Sequence, residues 1–273
     1  MIFDTHCHAY WKGLVERQTE LRANMRSEGV LRSVQIGTGW ERSRAALAMS
    51  REWGADTWCT VGIHPAGCQD LPSNSARELA GRFAGLIQAN RDKVVGVGET
   101  GLDYYHLTRG HEAEQKQTQL VFFRAQAELA LQFDLPLVIH TRDAADDTLA
   151  LIKSCGIKRA VIHCFSETLS FAQELLAWSE GIYISFSGIL TYRKSQAVQD
   201  AARALRLDRI LVETDAPFLV PQAVRDQFSI NEPAFTRHVM EYLKTLRSER
   251  GDAVEQAVWD NSNRFYRIES PKS

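Results

Sequence analysis

The sequence predicts an α/β fold, a single parallel (β/α)8 (TIM) barrel spanning residues 1–270. Three observations carry this expectation. Eight short apolar segments, rich in β-branched residues, recur along the chain. Stretches of helical periodicity separate them. The length of 273 residues suits a barrel, which commonly uses roughly 250 residues as one unit.

The expected strands are 2–6, 33–37, 57–62, 94–99, 135–140, 160–163, 181–186 and 210–214, each bounded by Gly, Pro or polar residues. The clearest helix is 112–133, where Leu120, Phe123, Ala127, Ala130 and Phe133 recur at steps of three or four. Segments 167–179, 194–205 and 234–246 follow the same period. Alternating β and α elements imply a parallel sheet. An open, doubly wound sheet competes, because periodicity alone does not close a barrel. However, no G-x-G-x-x-G follows the first strand and no G-x-x-x-x-G-K-[ST] occurs, so the common nucleotide-binding open sheets lose support.

With 44% hydrophobic and 24% charged residues, the chain can build a sizeable core. A formal net charge of −2 advertises neither a nucleic-acid binder nor a membrane binder. No run of about 18 apolar residues is present to span a bilayer. Reading 2–6 as a strand leaves no signal peptide. Five cysteines include no C-x-x-C pair, which disfavours a thiolate metal site and fits a reduced protein, expected in the cytoplasm.

A parallel barrel carries its active site at the C-terminal strand ends. Five of the eight histidines fall there: His6 and His8, His64, His140 and His163. Glu99 ends the fourth strand and Asp215 follows the eighth. His6 and His8, two apart on an extended strand, share a face, whereas Cys7 points away and packs. Imidazoles with carboxylates suit a first-row divalent ion. Six ligands, His6, His8, Glu99, His140, His163 and Asp215, exceed one tetrahedral site. They suit two ions about 3.5–4 Å apart bridged by a carboxylate, with Glu99 as the candidate bridge. The ions are expected to be Mg, Mn or Zn. Asp4 and Glu213 read as buried partners that orient other side chains. Tyr104 and Tyr105 either stack on substrate or cover the barrel mouth. His106, His111 and His238 read as solvated.

The chain resembles the TatD family of metal-dependent deoxyribonucleases, within the wider amidohydrolase-like barrels. The matching stretches are Asp4-Thr5-His6-Cys7-His8, Gly62-Ile63-His64-Pro65, Gly98 to Tyr105, His140-Thr141-Arg142, His163-Cys164-Phe165, Ser185 to Gly188, Glu213 to Pro217 and Asn231-Glu232-Pro233. The resemblance implies that His6, His8, Glu99 and Asp215 hold one metal, and Glu99, His140 and His163 a second. Asp215 then also serves as general base, and His64 lies near the substrate phosphate. The implied partner is DNA, single-stranded or at 3′ ends, digested 3′ to 5′, with no obligate protein partner. Two departures from the family pattern fall on substrate contact rather than on the ligands. Glu167 stands where Gly is usual, and Arg225 is followed by a longer loop, 226–230, lacking a Lys.

Such a site would lower the pKa of water and polarise the scissile group. Asp215 would accept the proton, with Glu99 as the second catalytic carboxylate. Arg142 and Arg225, with Arg109, Arg193 and Lys194 nearby, are candidates to hold phosphate oxygens. Two alternatives remain at this point. One is an amidohydrolase-like esterase, amidase or aminoacyl-tRNA deacylase on the same centre. The other is a non-enzymatic metal-binding protein, which six intact ligand positions disfavour.

Overall fold

Eight strands lie side by side in sequence order, all parallel. They are β1 (Ile2–Cys7), β2 (Val30–Gln35), β3 (Thr57–Val61), β4 (Val94–Asp103), β5 (Leu137–Arg142), β6 (Arg159–Ile162), β7 (Gly181–Phe186) and β8 (Ile210–Val212). The helices are α1 (Gln18–Ser27), α2 (Trp40–Trp53), α3 (Pro65–Cys68), α4 (Ala76–Ala89), α5 (Glu112–Phe133), α6 (Ala145–Ser154), α7 (Leu169–Trp178), α8 (Gln196–Ala204), α9 (Thr236–Leu246) and α10 (Gly251–Tyr266). This computed structural model describes residues 1–269, so the expected domain end at 270 lies just outside the described residues.

The barrel closes where β8 meets β1. Here side chains replace part of the backbone ladder. Thr5 Oγ1 donates to the Val212 carbonyl at 2.9 Å, and Asp4 accepts from the Thr214 N–H and hydroxyl at 2.9 and 2.7 Å. Backbone bonding resumes at the rim, Asp215 N–H to His6 O at 2.9 Å and His8 N–H to Ala216 O at 2.8 Å. This substitution explains why β8 stops at Val212, two residues short of the expected end.

β4 departs from expectation in the other direction, running four residues beyond Glu99. Its register with β5 shifts between Val97 and Thr100, then continues from Thr100↔Ile139 to Asp103↔Arg142. Gly98, at φ +135°, makes the shift possible, because a Cβ there would lie 2.5 Å from the Val138 carbonyl oxygen. Two glutamines one heptad apart on α5 hold the extension. Gln126 donates to Thr100 Oγ1 at 2.7 Å, and Gln119 accepts from the Asp103 N–H at 2.9 Å. Polar residues on a buried helix face are thereby satisfied.

The main core packs strands against helices, with Phe83, Phe122, Phe123, Phe165 and Phe186 wholly buried. A second cluster joins Phe3, Val34, Val138, Val161, Tyr183 and Leu211 to Trp259, Phe265 and Tyr266 of α10. Tyr266 reaches in to donate to the Thr5 carbonyl at 3.0 Å. The opposite end of the barrel remains available for chemistry. No helix among the described residues is long and apolar enough to cross a membrane.

Candidate metal centre

Burial of a charge needs compensation. Glu99 is 3% exposed and sits at the meeting point of the strand ends. Its two oxygens face different partners. Oε2 lies 3.5 Å from His6 Nε2 and 4.0 Å from His8 Nε2. Oε1 lies 2.9 Å from His163 Nε2, 3.2 Å from His140 Nδ1 and 3.3 Å from His64 Nε2. Burial disfavours ionisation, but the charge of His163 and hydrogen bonds from His140 and His163 hold the carboxyl well below its ordinary range.

Asp215 completes the first side, its Oδ1 3.5 Å from His6 Nε2 and 3.4 Å from His8 Nε2. Its backbone is left-handed at φ +57°, a conformation that Asp tolerates better than bulky residues and that costs some strain. The ring of His6 stacks on that of His163, centroids 3.9 Å apart, linking the two sides.

The second ring nitrogen of each histidine decides what the first can offer. His8 Nδ1 lies 2.9 Å from the Ile36 carbonyl and must donate there, leaving the Nε2 lone pair free. His163 Nδ1 faces Glu213 Oε1 at 3.2 Å, which turns its Nε2 toward Glu99 at 2.9 Å. His64 is the opposite case. It caps α3, and its Nδ1 accepts from the Ala66 N–H at 3.1 Å, so its Nε2 carries a proton toward Glu99. His64 is a hydrogen-bond donor here, not a lone-pair donor.

Burial, reinforced by His163, pushes His6 down to about 4, so it is neutral at physiological pH. Burial alone would also lower His140 and His163. In His140, hydrogen bonds to Asp103 and Glu99 outweigh it and raise the ring. In His163, Glu99 and Glu213 raise it well above the usual range. Protons held in this way mark places where a cation would be welcome. Three groups have ligand atoms all within 4.8 Å of one another: His6–His8–Asp215, His6–Glu99–His163 and His64–Asp103–His140. The donor chemistry of the first two fits divalent ions. The third is weakened by the protonated Nε2 of His64.

All of these residues except the more deeply set His6 line a cavity of about 880 Å³, within the size range of small-molecule sites. His64 and Arg142 line it, whereas Arg225 does not and instead lies over the Tyr192 ring, 5.1 Å from its centroid. Glu167 is half-buried beside Asp143 and Asp146, also outside the lining. Glu213 and Asp4 orient neighbours, as their strand parity suggests: Glu213 holds His163, and Asp4 holds Thr214 beside Asp215. Sequence reasoning missed Asp103, whose Oδ2 lies 3.4 Å from His140 Nε2 and 2.7 Å from His106 Nδ1. The signal was available, since Asp103 stands four residues after Glu99 on one strand and therefore shares its face. His106, expected to be solvated, is tied to that carboxylate and lines the cavity. Trp11, Arg42 and Phe218 complete one wall.

Residues 3–267 match the family described as TatD related DNase. Over 219 residues the chain is 37% identical to the uncharacterized metal-dependent hydrolase YcfH of Escherichia coli (strain K12), covering 78% of this chain and 75% of that protein. It is 29% identical over 250 residues to the 3′-5′ ssDNA/RNA exonuclease TatD of Erwinia tasmaniensis, covering 89% and 91%. Among solved structures, YJJV, a TatD homolog from Escherichia coli K12, superposes with a TM-score of 0.83 at 27% identity, covering 98% of each chain. Barrel, strand-end residues and sequence similarity agree, and the chain belongs to the TatD-related DNase family of metal-dependent hydrolases.

Proposed function

We propose that residues 1–270 form one hydrolase domain that cleaves phosphodiester bonds of single-stranded DNA from the 3′ end, using two divalent cations. The observation that carries this reading is the two-sided position of Glu99, with His6 and His8 toward one oxygen and His140 and His163 toward the other. Similarity to a protein named as a 3′-5′ ssDNA/RNA exonuclease supports the substrate class. Five cysteines, all free thiols, support action in the cytoplasm.

In this reading His6, His8, Glu99 and Asp215 hold one ion, and Glu99, His140 and His163 the other. Divalent ions, Mg, Mn or Zn, supply Lewis acidity and make water a competent nucleophile at neutral pH. Glu99 sets the spacing of the two sides. Asp215, the most accessible of the clustered carboxylates at 13% side-chain exposure, accepts the proton of the attacking water. The Nε2–H of His64 and the guanidinium of Arg142 bind phosphate oxygens. Arg225, on the outer rim over Tyr192, meets the strand beyond the cavity.

The test is elemental analysis of the purified protein, followed by digestion of 3′- and 5′-end-labelled single-stranded DNA with added Mg or Mn. A parallel panel of phosphomonoesters, esters, amides and an aminoacyl-tRNA is run beside it. Stepwise shortening from the 3′ end is expected. Turnover confined to the ester or amide arm would overturn the nuclease reading and leave the hydrolase centre standing.

A further inference from the structure

One wall of the cavity is aromatic and directly abuts the His6–His8–Asp215 side. The Phe218 ring packs edge-on against Trp11, centroids 5.1 Å apart, and lies 6.4 Å from the His8 ring. Trp11 itself is 5.6 Å from His8. The Arg42 guanidinium lies 4.4 Å from the centroid of the Trp11 ring. All three residues line the cavity. Phe218 is 43% exposed although it stands three residues after Asp215, anchored by its N–H to the Asp215 carbonyl at 2.9 Å. Phe218 and Trp11 together give the cavity wall a continuous apolar face beside polar chemistry, the kind of surface that marks a ligand groove. In addition, the Trp11 indole Nε1–H is buried with no acceptor among the described residues.

We infer that Phe218, backed by Trp11 and Arg42, forms a nucleobase subsite that stacks the base of a nucleotide flanking the scissile bond. The inference rests on the phosphodiesterase reading above. A flat π-face next to a cation is the arrangement by which single-stranded nucleic acids are held without sequence readout. Phe218 supplies the face. Arg42, exposed and bonded only to Thr38 Oγ1 at 3.3 Å among the described residues, supplies a charge for the adjoining phosphate. Phe218 follows Asp215 in the chain, so a stacked base would fix the sugar–phosphate link close to that carboxylate. Base selectivity should be weak, since every base has a π-face.

The experiment compares two single-stranded oligonucleotides that differ only in whether the last two 3′ nucleotides carry bases. KM is measured for each with Mn supplied, for wild type, Phe218→Ala and Phe218→Trp. For the wild type, the abasic oligonucleotide should show a KM about tenfold higher, as base–aromatic stacking implies. That ratio should collapse to about one in Phe218→Ala and return in Phe218→Trp. A ratio near one in the wild type, or a ratio preserved in Phe218→Ala, overturns the subsite. Failure of the wild type to cut either oligonucleotide defeats the phosphodiesterase reading instead, and the subsite with it. Because Phe218 is exposed, the alanine variant should fold, which a thermal melt checks.

Discussion

Glu213 stands behind His163, its Oε1 3.2 Å from Nδ1, while the Nε2 of the same ring faces Glu99 at 2.9 Å. The rest of Glu213 is equally committed, since Oε1 also accepts from the Cys164 N–H at 2.7 Å and Oε2 from Ser185 Oγ at 2.5 Å. A carboxylate fixed on three sides can hold one tautomer of the ring. Glu213→Gln keeps the shape and loses the charge. We expect metal affinity to fall by roughly 10–100-fold with the fold retained. Chelator competition measures it, and unchanged affinity would remove the orienting role.

Asp215→Asn keeps the size and one oxygen but cannot accept a proton. Turnover at saturating metal should drop by about 10²–10⁴-fold, the usual contribution of a general base. The backbone at φ +57° suits Asn as well as Asp, so the melting temperature should hold. Turnover within about threefold of wild type would defeat the assignment.

Metal removal should destabilise the protein. Without cations, a buried Glu99 is compensated only by imidazoles, two of which, His140 and His163, are raised by its charge. Saturation at about 100 times Kd is worth about 2.7 kcal/mol. For a chain of this size that corresponds to roughly 5 °C in Tm. Calorimetry with and without chelator tests this. In His140→Ala the metal-dependent increment should shrink, with about one equivalent of ion lost by elemental analysis.

Asp4 gives a pH dependence of defined sign. Burial raises its carboxyl to about 8, against hydrogen bonds from Thr214 that lower it. A group raised on folding contributes stability that is complete below its unfolded pKa, about 3.9, and is lost as pH rises through its folded value. Chelator-treated wild type should therefore lose stability between about pH 4 and 8 more steeply than Asp4→Asn. Parallel Tm–pH curves for the two proteins would show that Asp4 does not titrate across that range.

Glu167 interrupts a resembling motif with a negative charge, which invites the expectation that Glu167→Gly would tighten binding of a polyanion. The side chain instead sits beside Asp143 and Asp146, outside the cavity lining. KM for an oligonucleotide should change by less than about twofold, with little dependence on ionic strength. A severalfold drop at low salt would place Glu167 in the path of the substrate.

The barrel was legible because strand and helix periods differ, and the clustering of histidines at strand ends was legible because a parallel barrel gathers those ends in one place. Parity along a strand separated His6 and His8 from Cys7, and gave Asp4 and Glu213 an inward face. It could not say that Glu213 meets His163, fifty residues away, because that depends on which strands adjoin. Asp103 was within reach of the same parity argument, but β4 was ended at Glu99, since the register shift at Gly98 has no signature in apolar spacing. Trp11 and Phe218 come from two different loops and Arg42 from the first turn of α2. Only closure of the ring brings them together, so no local pattern announces them.

That closure has a consequence of its own. The β8–β1 junction is tied at the rim by two amides, those of His8 and Asp215, both belonging to residues whose side chains converge on one point. A cation gripped by His6, His8 and Asp215 would therefore act as a rivet through the weakest joint of the ring, and its departure would loosen the joint before any other. Hydrogen–deuterium exchange at the His8 and Asp215 amides should accelerate on chelation ahead of the amides in β5 and β6, making these two protons a local gauge of occupancy.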